Sequence, residues 1–536
     1  MSPNTQEEKA RPKNRTVAHP AGTAVRWLMP SILDLIFLAL LFGLSCGALG
    51  RLLLRDSDTG WHIRDGQLIL ATHCITRVDP FSATLSGKPW FAWEWLYDLF
   101  VGAIEQALGL NGVVFYSAAI IAATFVLALY FCTRRRASLP VTLLFLVLSL
   151  GASAVHFLAR PHVLSWLLTV IWFYIIDFAA IDRGQQEVRR FYWLPLLMVL
   201  WVNLHGTFVV GFVLLGSYLL GLTFEYWTQL DRRRELATLI KSFAFVMVLC
   251  AFTSLLNPFG YKLHLHVYQY LSDRYLMNRI SEFASPNFHF AAQQCFAFLL
   301  LIAITVLAAV RSKLHPARVV TLLFAAFSGL YATRNLPGAS LLLTMILAPV
   351  ASDIISSGES NDAIAGPLRR SCTWLNSFGA RMHRLESQFT GHVWLILGFL
   401  VGFWACAHGG RLGSAQLINA YFEPKSFPMQ AVNVLVEKQV REPIFSLDHW
   451  GGYLIYRLYP QNHVFIDDRH DFYGDAYIQD YLKIILIQQG WEKVLDDKHV
   501  NWIVMPTYSS LANVLRLKPG WIVEHEDATG ILFHRK

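Results

Sequence analysis

Two aspartates two residues apart, Asp56 and Asp58, stand in the string RDSDTGWH where a long apolar run gives way to polar chain. Carboxylates so spaced can share a divalent cation, Mg2+ or Mn2+, or one of them can take the proton of a hydroxyl about to act as a nucleophile. The same pattern also serves as a helix cap with solvated acids. Trp61 and His62 come next, on a segment whose Ile63, Gln67, Leu68 and Ile69 predict an amphipathic helix. A second segment, 90–102, sets Trp90, Trp93, Trp95, Tyr97 and Phe100 around Glu94 and Asp98, the composition of a helix lying in a membrane interface.

Further along, polar groups recur at the ends of apolar runs. The turns HFLARPH (156–162), WVNLHG (201–206), NPFGYKLHLH (257–266), NRISEFASPNFH (278–289) and ATRNLPG (332–338) each bring His, Arg, Asn or Glu to such an end. At that depth an unpaired polar group is costly, so Arg160, His162, His205, Glu282 and Arg334 become candidates for a shared cavity. The guanidinium groups of Arg160 and Arg334 suit a phosphate oxyanion. His156 and His205 either face that cavity or hydrogen-bond between helices. Asp34, Asp177 and Glu225 lie near the other ends of their runs, beside basic loops, and are read as structural.

The elements that must hold these residues follow from composition. Of 536 residues, 54% are hydrophobic and 15% charged, with a mean hydropathy of +0.40; a soluble domain carries ~25% charge. Apolar runs at 27–49, 111–132, 139–157, 163–181, 192–204, 207–227, 242–256, 292–310, 319–333, 337–351 and 392–408 predict about eleven crossings, most near the ~20 residues that span a bilayer. Lys and Arg gather in alternate connections, which places the N-terminus inside and makes 1–26 a cytoplasmic basic tail, not a signal peptide. The expected organisation is a transmembrane domain over 27–409, with outer loops 50–110 and 257–291, and an outer soluble domain over 410–536. In such a chain the net charge of +8 reports topology, and nucleic acid is not an expected partner. The seven cysteines form no CxxC or Cys/His cluster, which argues against zinc, haem or a disulfide framework.

The last 127 residues alternate short β-branched runs (443–447, 463–467, 501–505, 521–525, 531–534) with helical ones (428–440, 451–458, 474–497, 509–516), an α/β layer. No Gly-rich phosphate loop or GxSxG elbow accompanies it. Its densest polar stretch, LDHWGGYLIYRLYPQNHVFIDDRHDFYGD, holds Asp448, Trp450, Gly451, Gly452, Asp467, Asp468, Arg469, His470 and Asp471. That stretch is either a tight turn with a solvated strand end or a substrate-facing edge over the membrane cavity.

An acidic pair after the first span, a long first outer loop, about eleven spans and an outer α/β domain together resemble the GT-C superfamily of membrane glycosyltransferases. Protein mannosyltransferases and lipid A aminoarabinose transferases place a catalytic acid in the first outer loop, which implies Asp58 or Asp56 as base here. Oligosaccharyltransferase catalytic subunits add a metal-binding acid in a later loop, a part open to Glu282, and a WWDYG motif that SLDHWGGYLIY (446–456) resembles. HFLARPH lacks their second-turn acid and WGGY lacks their Asp, so Asn-linked glycosylation is not implied. The strings DxDTxWHIRxG…DPFS and WGGYL…VFIDxR are similar to those of bacterial membrane proteins without an established activity.

The resemblance implies sugar transfer, with inversion, from a polyprenyl-phosphate-linked donor to a glycan, lipid or protein acceptor at the periplasmic face of a bacterial inner membrane. It implies that Asp56 and Asp58, with Glu282, hold any metal. His62, Arg160, His162, His205, Arg334, Trp450, Asp468 and Arg469 are then substrate-binding. Two alternatives stay open: a metal-independent glycan ligase that uses the outer Arg and His residues, and a non-catalytic lipid-glycan carrier or scaffold.

Overall fold

The computed structural model describes residues 28–181, 189–310, 314–359, 366–389 and 391–536. The expected tail over 1–26 lies outside the described residues. Each of the eleven apolar runs contains a helix. Among the described residues, seven helices are long and apolar enough to cross a membrane: Trp95–Arg134, Leu139–His156, His162–Ile181, Gly206–Thr228, Leu230–Thr253, Ala291–Ala309 and Thr333–Glu359. Gly366–Gln388 and Val393–Ala407 pass together as a pair bent by 74°. Ile32–Ser45, Leu194–Leu204 and Pro316–Tyr331 supply the remaining apolar runs. At ~1.5 Å per residue these three are shorter than a ~30 Å hydrocarbon core and rely on their neighbours to complete the layer.

The acids read as structural are paired. Asp177 is 1% exposed and accepts from Arg318 Nε and Nη2 at 3.0 Å each, from the Tyr218 hydroxyl and from Arg135. Glu225 faces His315 at 3.3 Å, and Asp34 faces His392 at 3.1 Å while closing a capping box with Ser31.

The first-loop helix, Asp58–Thr72, begins where Asp56 Oδ1 accepts the amide of Asp58 at 2.9 Å. The aromatic segment forms a helix of its own, as expected, but starts at Trp95; it meets the spanning helix at a break at Gly109 (φ 62°, ψ −167°), the two together covering Trp95–Arg134. Gly109 supplies that break, since glycine adopts a positive φ at no steric cost. The first-loop helix and the aromatic helix cross at a pair of glycines. A Cβ on Gly66 would lie 1.7 Å from the Asp98 carbonyl oxygen, and one on Gly102 would meet the Gly66 backbone at 2.6 Å. That approach lays His62 against Glu94 and Asp98.

The C-terminal domain carries a four-stranded sheet in the order Ile444–Ser446, Trp502–Pro506, Gly530–Arg535, Trp521–Glu526. The first pair is parallel, with Ile444 opposite Trp502, and the other two pairs are antiparallel. Phe445, Phe465, Ile503 and Phe533 pack its core with Tyr477 and Trp491. Two expected elements differ. The run 463–467 forms only isolated bridges, from Val464 to Ile444 and to Ser82 of the first loop. The helix expected over 474–497 begins after a break at Gly474 (φ 73°, ψ 166°) that parts it from the turn at His470, and it ends at Ile485; Trp491–Asp497 is a separate helix, with Ile487 and Gly490 at positive φ between them.

The domain is bound to the first loop by backbone as well as side chains. The helix Asp448–Leu458 crosses the first-loop helix at Gly452 and Gly60, where a Cβ on either would come within 2.3 Å of the partner's carbonyl oxygen. The Val464 amide donates to Phe81 O and the Ala83 amide to Val464 O. Arg469, 4% exposed, joins Asp467 through two hydrogen bonds of 2.8 and 2.7 Å and reaches Asp79 of the first loop at 2.8 Å.

Candidate functional site

These contacts gather the acids of two segments around one cation and bring an acid of a third beside them. The Thr59 hydroxyl donates to Ala159 O at 3.0 Å, and the Ala159 amide donates to Leu53 O, so the turn bearing Arg160 is fixed to the start of the first-loop helix. Arg160 then reaches Asp58 Oδ2 through Nη2 at 2.7 Å, Asp56 Oδ2 through Nη1 at 2.8 Å and Glu282 Oε1 through Nη1 at 3.3 Å. Asp58 is 4% exposed, and its second oxygen, Oδ1, has no hydrogen-bond partner. Burial lifts its carboxyl to about 7, against the pull of Arg160 and with a further push from Asp56. Burial also works on Glu282, but Arg160 and Arg334 hold it down at about 2.

Asp468 comes from the C-terminal domain, and its carboxylate lies within 4.8 Å of those of Asp56 and Asp58. It belongs as well to a second group with Asp448 and His470. His470 Nε2 is 3.0 Å from Asp448 Oδ2, a bond that raises the imidazole against the effect of burial. Asp448 stays well below the usual carboxylate range despite burial, held by His449 and His470. Asp468 is driven the other way, by burial and by its neighbours Asp58 and Asp448. Three oxygen donors, one with an orphaned buried atom, form a set that suits a hard divalent cation. Glu282, expected in that set, shares Arg160 with Asp56 and Asp58 but is not among the carboxylates grouped within 4.8 Å.

Two cavities meet at these residues. The larger, 810 Å³, is lined by Asp56, Asp58, Glu94, Arg160 and Asp468, by Leu271 of the second outer loop, and by Val209, Val213, Phe324 and Leu342 of the membrane helices. Trp61, Trp90 and Trp93 line it as well. The smaller, 780 Å³, opens between the C-terminal domain (Lys425, His449, Trp450, Tyr508, Thr529) and the turn carrying Ser285 and Asn287. Asp56, His156, Glu282, His449 and Asp468 line both.

The remaining expected residues divide between these spaces. His162, His205, Arg334 and Arg469 line the larger cavity and Trp450 the smaller. Arg334 stacks on the Phe283 ring at 4.4 Å and has no ion pair among the described residues. His62 is fully buried behind the wall, its Nδ1 2.5 Å from Asp98 Oδ1. Glu94, which the sequence reading left among interfacial aromatics, lies on the wall between His62 Nε2 at 3.8 Å and His205 Nε2 at 3.3 Å. Its signal was present: an acid flanked by tryptophans at a lipid boundary must be paired or neutral.

No protein-family profile and no curated protein matches the sequence. Solved structures do share its architecture. The apo oligosaccharyltransferase of Archaeoglobus fulgidus is 12% identical over 89% of this chain and 69% of its own, with a TM-score of 0.56. AglB from the same organism, in complex with an inhibitory peptide and a dolichol-phosphate, is 11% identical over 93% and 73%, also with a TM-score of 0.56. Apo ArnT from Cupriavidus metallidurans is 12% identical over 94% and 96%, with a TM-score of 0.50. The chain is a multi-pass membrane protein with the fold of the GT-C glycosyltransferases and a C-terminal domain built on a sheet.

Proposed function

We propose that this chain is a membrane glycosyltransferase, which moves a sugar from a polyprenyl-phosphate-linked donor to the hydroxyl of a glycan, lipid or protein acceptor. One observation carries the reading: two cavities, one with an apolar extension among membrane helices, share a wall of carboxylates. The likeness to AglB, whose structure holds a dolichol-phosphate and a peptide, supports a lipid-linked donor in one cavity and an acceptor in the other. The lipid tail lies along Val209, Val213, Phe324 and Leu342, and its phosphate meets Arg334, His162 and His205. The sugar stacks on Trp61, Trp90 or Trp93.

Asp58 takes the acceptor proton as the new C–O bond forms, and the bond to phosphate breaks with its electron pair leaving on the phosphate. Attack from the opposite side inverts the anomeric carbon. Arg160 orients Asp56 and Asp58, and Arg334 stabilises the departing anion. Asp56, Asp58 and Asp468 would hold Mg2+ or Mn2+, which would offset charge on the leaving phosphate. The alternation of basic connections supports a cytoplasmic tail (1–26), a transmembrane domain (27–409) and a periplasmic domain (410–536), the whole in a bacterial inner membrane.

One observation favours a second reading, the metal-independent ligase: Arg160 already supplies a cation to Asp56, Asp58 and Glu282. Transfer from radiolabelled polyprenyl-phosphate sugars by purified protein separates the two. Loss of label transfer in Asp58→Asn, together with inhibition by EDTA, supports the metal-assisted base. Full activity in EDTA with loss in Arg334→Ala supports the ligase. Equal transfer by wild type and both variants removes both readings.

A further inference from the structure

The larger cavity is walled in part by membrane helices, whereas the smaller is built differently. On the membrane side its large apolar members, Val155, Leu158 and Phe290, stand at the ends of spans and in the loops between them, so an acyl or prenyl chain finds no channel there. Its 780 Å³ lies within the ~300–1,000 Å³ of sites that enclose small ligands. The other wall belongs to three turns of the C-terminal domain, at 424–427, 506–509 and 527–530, which hydrogen bonds fasten together. The Thr507 hydroxyl donates to Asp527 O at 2.7 Å, the Thr529 hydroxyl to Pro424 O at 2.7 Å, Arg516 Nη2 to Thr507 O at 3.1 Å and Trp450 Nε1 to Ser426 O at 2.8 Å. Four main-chain carbonyls that could receive an extended peptide are thereby already engaged.

What stays unmet is of another kind. Ser57, His156 and Gln293 all line the cavity and none is more than 6% exposed, yet each holds a polar atom, Oγ, Nε2 and Oε1 respectively, without a hydrogen-bond partner. A ligand hydroxyl both donates and accepts, so it can satisfy all three. Two aromatic rings join them, one from each side. Tyr508 of the C-terminal domain is 83% exposed and Phe290 of the second outer loop 61%, and neither ring meets another ring or a cation among the described residues. The Tyr508 ring stands on a fastened turn, so its face is presented in a fixed place. Apolar faces edged by groups that bind hydroxyls match a pyranose, which has a C–H face and a rim of hydroxyls.

We propose that the acceptor is a glycan, whose terminal sugar enters the smaller cavity, stacks on Tyr508 and hydrogen-bonds Ser57 and Gln293. The proposal rests on the transfer reading above and selects one of the three acceptor classes named there. Ser57 lies between Asp56 and Asp58 in the chain, so a sugar held at its hydroxyl is beside the proposed base. One hydroxyl of that sugar gives its proton to Asp58 as its oxygen bonds to the anomeric carbon of the donor. The bond from that carbon to the phosphate oxygen breaks, and its electron pair leaves with the phosphate. The product is a glycan longer by one sugar.

The test combines the full-length protein in detergent, a panel of radiolabelled polyprenyl-phosphate hexoses and pentoses, and solubilised bacterial envelopes as the acceptor mixture. The labelled product is digested with protease, and mass spectrometry of the labelled fragments identifies what the transferred sugar is joined to. The expected partner is a second sugar. Tyr508→Ala raises the acceptor KM by up to about tenfold, the range of a lost aromatic stack, and Tyr508→Trp restores it. Gln293→Leu raises the acceptor KM as well. Binding of undecaprenyl phosphate, measured by calorimetry, stays as in wild type in all three variants. Tyr508 lies in water, so its variants probe the site without disturbing the fold, and melting curves check each protein. Label on an amino acid, or directly on a lipid, overturns the glycan acceptor and leaves the proposed function standing. A sugar-to-sugar product with unchanged acceptor KM in Tyr508→Ala and Gln293→Leu overturns this cavity as the glycan site. No transfer from any donor overturns the proposed function and this proposal with it.

Discussion

Two buried acids, both met by arginine at the end of a helix bundle, have opposite environments. Asp177 has every oxygen engaged: Arg318 takes both in a fork, and Arg135 and Tyr218 add to them. Asp58 shares its arginine with Asp56 and Glu282, leaves Oδ1 without a partner and lines a cavity. A closed centre holds helices together, since its charges are matched. An open one keeps unmet hydrogen-bonding capacity facing a cavity, and that capacity is what a substrate or ion would satisfy. Saturation, more than burial, separates structural from functional charge in this molecule.

The contrast can be broken from either end. The largest change is expected in Asp58→Asn: sugar transfer falls by about 100- to 10,000-fold, the usual share of a general base, while the melting temperature holds. The reverse pattern is expected of Asp177→Asn, which leaves Arg135 and Arg318 facing an amide and costs about 3–5 kcal/mol of stability, with transfer per folded molecule unchanged. A lower turnover at full stability in that variant would make the closed centre functional and dissolve the distinction. Next in size, Asp468→Asn weakens Mn2+ binding about tenfold by electron paramagnetic resonance and Glu282→Gln does not. Equal effects would put Glu282 back among the ligands. The smallest is Gly452→Ala, which drives a methyl into the Ser57 carbonyl oxygen, costs about 1–3 kcal/mol by thermal melting and lowers transfer through the displaced first-loop helix.

Much of this was legible in the chain because the signals were local. Apolar length marks each spanning run, and Asp177 meets arginines of the basic connections beside it, whereas Asp34 and Glu225, expected to do the same, face histidines. The pairing of Arg160 with Asp56 and Asp58 was not legible, since it depends on Thr59 reaching Ala159 across the fold. The run 463–467 reads as a strand by composition, but its bridge partner Ser82 lies in a loop far away in sequence, and pairing with a single residue there does not build a ladder. The aromatic run at 90–102 reads as an interfacial helix separate from the span, and the break at Gly109 keeps the two apart, although the helix begins only at Trp95. Asp468 reads as one of several acids in a polar stretch, and only the docked domain brings it to Asp56 and Asp58.

The crossing of Gly60 and Gly452 bears on how such proteins can be recombined. Neither helix tolerates a side chain at the contact, and the carbonyl oxygens facing across it set the depth and angle of approach. A C-terminal domain transplanted from another chain would meet a first loop shaped for a different partner, and with it would go the alignment of Asp468 to Asp56 and Asp58. The natural unit of exchange is therefore discontinuous: the first loop and the C-terminal domain must travel together, while the membrane helices between them can be varied to accept a different lipid.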